Sequence, residues 1–174
     1  MFGFFRRIFF KPKRTEAELT EELLSDPGSG LIGDEDFGLI SYFQPSDQED
    51  GIWQMEDEWE NPDESAIITC TGIPGNIHGP YKESRDFLLS KRQKLDQIWA
   101  LCQKPLLAYT ARWSPGSESA NPKDIYWLST MALNDSSLEV FEVGFESKED
   151  HPLGQIYFEI TDGKIINNES SPSE

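Results

Sequence analysis

Reactive side chains are scarce in this chain. It has two cysteines and two histidines in 174 residues. Cys70 and Cys102 are too few for a disulfide framework. Both are flanked by apolar residues, Cys70 in a strand-like run and Cys102 in a helical one, and read as buried free thiols in a reducing cytoplasm. A metal site would have to rest on carboxylates. Asp47, Glu49 and Asp50 lack the spacing of an EF-hand loop and would hold Ca²⁺ only weakly. His78, in a Gly-rich loop, is placed like a general base, but no nucleophile or acid is identifiable beside it. No phosphate loop, dinucleotide fingerprint, zinc-ligand spacing or nucleophile elbow occurs. The expectation is no cofactor, no metal and no catalytic residue.

Long apolar runs are missing as well. Nothing approaches the ~20 residues needed to span a bilayer. The apolar residues at the start lie on both sides of Arg6-Arg7, with no small-residue cleavage site after them, which is a poor signal peptide. Asn134-Asp-Ser136 and Asn168-Glu-Ser170 match the glycosylation sequon, but without an export signal the match carries no meaning.

Charge of one sign is absent over long stretches. Residues 1–14 hold five bases and no acid, 15–81 hold seventeen acids and no base, and 82–174 hold ten bases and fifteen acids, for a net charge of −17. Such sorting concerns partners and surfaces rather than reactions. Phosphates would be repelled, so no nucleic acid is expected. A basic protein is the natural complement. The acids are densest at 47–64, nine in eighteen positions. Asp47, Glu49, Asp50, Glu56, Glu58, Glu60, Asp63 and Glu64 are the candidate partner-binding residues, with a merely solvated face as the alternative.

The N-terminus points elsewhere. Wound as a helix, Phe2, Phe5 and Phe9 share a face, Arg6 and Arg7 lie opposite, and Lys11 follows. This suits an anionic membrane surface, with each base adding ~1 kcal/mol. Packing on the body, packing on a second subunit, or disorder are the alternatives. The expected location is cytoplasmic, with the inner face of the membrane as the possible site of attachment.

What is plentiful is alternation. A capping box, Thr15-x-x-Glu18, opens a short helix that ends at Asp26-Pro27-Gly28. Residues 1–33 form an appendage, 34–167 the domain, and 168–174 a disordered tail. DFGLISYFQ places Phe37, Leu39 and Phe43 on one face, and GIWQMEDEW places Trp53, Met55 and Trp59 on one face. SAIITCTG is apolar on both faces and reads as a central strand. A helix over 80–103 carries Leu88, Leu95, Ile98, Trp99 and Cys102, ended by Pro105. Three strands follow, showing Ile125, Trp127, Met131 and Leu133, then Phe141, Val143 and Phe145, then Ile156, Phe158 and Ile160 before an Asp162-Gly163 turn. The fold class is α+β, a mostly antiparallel sheet of six or seven strands with one long helix on a face. Trp53 and Trp59 are expected in its core, with a tryptophan exposed beside the carboxylates as a candidate partner anchor in the alternative.

Phe37-Gly38 with Leu39, Gly51-Ile52-Trp53, Ala66–Thr71, Gly79-Pro80 with Phe87, Glu139–Phe145, and Ile156–Phe158 with Asp162-Gly163 form a pattern across roughly 34–166. It resembles small acidic bacterial proteins of unknown function, some grouped with immunity proteins of polymorphic-toxin systems. The resemblance implies an α+β fold and brings no catalytic residues. The leading reading is a non-catalytic acidic domain that neutralises or recruits a basic protein. The alternative is a peripheral membrane or assembly factor anchored through residues 1–14.

Overall fold

Residues 30–44, 50–60, 66–113, 121–148 and 154–171 are described by the computed structural model. The expectations placed on residues 1–29 lie outside them. The chain forms β1 (Leu31–Asp34), β2 (Gly38–Phe43), β3 (Gly51–Met55), β4 (Trp59–Glu60), β5 (Ala66–Asn76) and β6 (Gly79–Pro80), then α1 (Lys82–Arg92), α2 (Leu95–Trp113) and α3 (Pro122–Ile125). It ends in β7 (Tyr126–Leu133), β8 (Phe141–Ser147), β9 (Gln155–Thr161) and β10 (Lys164–Ser171). The strands make one sheet in the order β1-β2-β3-β5-β7-β8-β9-β10, with β4 and β6 also paired to β5. All the described pairs are antiparallel except β5 with β7. The fold is thus α+β with a large, mostly antiparallel sheet.

The strand number differs from six or seven: ten strands are present among the described residues. β1, β4 and β6 are too short for any periodicity, and β10 is too polar to read as a strand. Asn168–Ser171, assigned by composition to the tail, pair with β9 down to Ser171 opposite Gln155. The Asp162-Gly163 hairpin is as expected. Both residues have positive φ, 50° and 70°, the conformation a two-residue turn of matching twist requires.

The single long helix is two. Gln93 N–H bonds Leu89 O at 3.2 Å and Lys94 N–H bonds Lys91 O at 2.9 Å, closing α1. Gln97 N–H then bonds Lys94 O at 3.0 Å and opens α2. No glycine or proline marks this break. Pro105, which locally should stop the helix, lies inside α2. An internal proline costs about 3 kcal/mol. Cys102, Leu106, Tyr109 and Thr110 continue one buried stripe across it, and burial of each large apolar side chain, worth roughly 1.5–3 kcal/mol, offsets that cost.

Both helices cover one sheet face. Phe87 of α1 meets Phe141 edge-on at 5.6 Å, and Trp99 of α2 meets Phe145 at 4.9 Å. Thr110 Oγ1 lies 2.8 Å from Tyr126 Oη, tying α2 to β7. Phe141, Val143, Phe145, Ile156, Phe158 and Ile160 are buried in the expected alternation. β7 departs from it. Tyr126 and Leu128 point inward, the register shifts between Leu128 and Thr130, and Met131 and Leu133 follow. A bulge of one residue switches faces. β2 departs too: Phe37 and Ile40 are buried, whereas Phe43 is exposed.

Candidate functional site

Two features of β5 create the site. It runs on through Ile73–Asn76, beyond the expected SAIITCTG strand, and it pairs in parallel with β7, Gly72 opposite Ala132. The carboxyl ends of both strands therefore lie at the same end of the sheet. β3 enters there in the opposite sense, with Gly51 beside Gly75. Tyr81 is held by its N–H to Pro74 O at 2.9 Å. Gly75 permits this crowding. A Cβ there would meet Gly79 O at 2.5 Å and Trp53 Cδ1 at 2.9 Å. Trp53 is fully buried, and its Nε1–H donates to Asn76 O at 2.9 Å.

The result is a cleft of about 320 Å³. Its apolar floor is Ile52 and Pro74, and its polar rim is Asp50, Tyr81, Asn134, Asp135 and Ser136. The Tyr81 hydroxyl donates to Asp50 Oδ1. That bond to a carboxylate holds the Tyr81 phenol above its ordinary pKa. Burial, with Asp50 nearby, pushes the Tyr42 phenol up too. Both therefore stay protonated at neutral pH. Asp135 Oδ1 accepts the Ser137 N–H at 2.8 Å. Asn134 Oδ1 is enclosed and has no partner. The rim is thus rich in acceptors, and the donors it meets are neutral.

Six of the body's cations are engaged elsewhere. Arg85 pairs with Asp34 and with Asp36, the latter at 2.8 Å, and lies 5.5 Å over the Phe37 ring. Arg92 covers Trp59 at 4.4 Å, Lys91 covers Phe87 at 4.6 Å, and Lys148 covers Trp127 at 4.0 Å. Lys82 pairs with Asp86, and Lys123 with Asp96 at 3.0 Å.

The expected acidic edge divides. Asp50 and Glu56 flank β3, which holds them about 20 Å apart at ~3.3 Å per residue. Glu56 is half-buried with Oε1 enclosed and unpartnered, and Glu58 is exposed. Glu60 falls in β4. Asp47, Glu49, Asp63 and Glu64, and the membrane-contact set Phe2, Phe5, Arg6, Arg7, Phe9 and Lys11, lie outside the described residues. Sequence reasoning missed Tyr81, Asn134 and Asp135. Asn134-Asp-Ser136 stood out only as a sequon, and nothing local marks it as a neighbour of Asp50.

The remaining candidates are quiet. His78 sits exposed in the β5–β6 turn, its N–H bonded to Asn76 Oδ1 at 2.9 Å. Cys70 and Cys102 are buried and free. Burial pushes both thiols up, Cys102 to about 12. Trp59, like Trp53, is core, and its Nε1–H donates to Asp36 O at 2.8 Å. Among the described residues no three metal-binding side chains converge, and no helix is long and apolar enough to cross a membrane. No protein family, curated protein or solved structure matches the chain.

Proposed function

We propose that the chain is a non-catalytic acidic binding protein that neutralises or recruits a basic protein, in the manner of an immunity protein. The observation that supports it most is the disposition of the cations. Of the ten bases in 82–174, six are fastened to carboxylates or rings of the same body. With six bases so committed, the excess of acid that gives the chain its net charge of −17 has little left in the body to offset it. Such a surface steers a cationic partner into fast, salt-sensitive association. Capture from the native host's extract tests this. Basic proteins should be retained at low salt and released as ionic strength rises. Retention of no basic protein, or retention insensitive to salt, would overturn the reading.

The aromatic and basic character of residues 1–14 supports a second reading, attachment to an anionic membrane surface. Sedimentation with anionic vesicles at low salt tests it, and full-length protein left in the supernatant would remove it.

A further inference from the structure

We propose that the cleft between Asp50, Tyr81 and Asn134–Ser136 seats one arginine side chain of the basic partner. This rests on the acidic-binding reading and names the group that is gripped. The size is suitable: about 320 Å³ lies at the bottom of the range for ligand sites, room for one long side chain rather than a large metabolite.

The chemistry selects the sign and the shape. A carboxylate has about four lone-pair sites. Tyr81 takes one on Asp50, and Ser137 N–H takes one on Asp135. A ligand bringing a positive charge and several donors therefore gains by meeting the two charges and their remaining lone pairs. The acceptors come from separate chain segments around the rim. A guanidinium, with five donors in a rigid plane, can address several of them together, whereas an ammonium is a compact point charge. The methylene stem of arginine would lie on Ile52 and Pro74. The molecule already uses this solution once, where Arg85 joins Asp34 and Asp36.

The test is a titration of the full-length protein with Nα-acetyl-arginine amide, followed by amide chemical shifts. Saturable shifts are expected at Gly51, Tyr81 and Asn134–Ser136, together with the Asn134 side-chain amide. Asp50→Asn and Asp135→Asn should each weaken binding about tenfold, the loss of one charge-assisted hydrogen bond. Asp124→Asn, an exposed acid on α3, should change it less than about twofold. The citrulline counterpart, which keeps the shape without the charge, should not saturate. Shifts that do not saturate or that fall elsewhere, equal binding of the lysine amide, or full affinity in both cleft variants would each overturn the proposal. An oligolysine peptide separates the two levels of the argument. If it binds in a salt-sensitive way while the arginine amide does not, the cleft assignment falls and the acidic-surface reading stands. If neither binds, both fall.

Discussion

Two pairs of aspartates in this molecule are built alike and finished differently. Asp34 ends β1 and Asp36 lies in the β1–β2 turn. Asp34 Oδ1 accepts the N–H groups of Asp36 and Phe37 at 2.9 and 3.1 Å, and Arg85 closes the pair from α1. Asp50 and Asp135 also sit where strands meet turns, and each also accepts one bond from a neutral donor. No lysine or arginine among the described residues pairs with either. In the first pair the cation comes from the fold, with the Asp34 side chain 8% exposed and Arg85 20% exposed. In the second the space for the cation is an open cleft. Equivalent carboxylates thus hold a cation of the same chain in one place and none among the described residues in the other, and the difference is one guanidinium.

The contrast is broken most directly by Arg85→Ala. It leaves Asp34 as an uncompensated charge in a nearly closed place and should cost about 3 kcal/mol in denaturant unfolding. A loss under about 1 kcal/mol would mean that the Arg85 pair is a surface pair and no different in kind from the cleft.

Gly75→Ala comes next. It drives a methyl against backbone and the Trp53 ring and should cost roughly 2 kcal/mol by overpacking. The same variant should lower binding at the cleft, because Pro74 and Tyr81 share that wall. Stability lost with cleft binding intact would separate the wall from the site.

The thiols belong to neither aspartate pair and serve as a reference. Their pKa values are raised by burial, so the folded state keeps the neutral form. Below the ordinary value of 9.0 both states are protonated and nothing changes. Above it the unfolded chain ionises first and stability falls, for Cys102 until the folded thiol ionises near about 12. The limiting slope is about 1.4 kcal/mol per pH unit for each thiol. Cys102→Ser should flatten the fall, as measured by urea unfolding between pH 8 and about 11. An unchanged slope would place its origin elsewhere.

The smallest effects belong to the carboxylates that Arg85 does not close. Asp50→Asn should change stability by less than about 0.5 kcal/mol, because the amide oxygen can still accept from Tyr81. Glu56→Gln should leave the melting temperature equal or slightly higher, since it removes self-repulsion at an enclosed, unpartnered oxygen. Destabilisation by either one beyond about 1 kcal/mol would put these acids with Asp34 and remove the distinction.

Much of the fold could be read along the chain. β8 and β9 alternate for their whole length because one face meets the helices and the other does not. The Asp162-Gly163 turn is chemically specified by its positive φ values. Three of the misses share one cause. The bulge in β7, the inward Ile40 and the helical Pro105 are places where distant packing overrides a local rule. Period-two reasoning cannot see one extra residue in a strand, and a one-residue shift exchanges its faces.

What the sequence alone determined is the charge and the inventory: −17 overall, bases and acids sorted by segment, buried thiols, core tryptophans, and strands surrounding a helical stretch. These depend on composition and near-neighbour spacing, which the chain carries in one dimension. Only the tertiary structure decided which carboxylates are used up. Asp34 found Arg85 across 51 positions, and Asp50 came beside Asn134 and Asp135 because β5 and β7 run parallel, with their carboxyl ends toward the same end of the sheet. Compensation of charge is a matter of a few ångströms, and those distances are set by strand order and register.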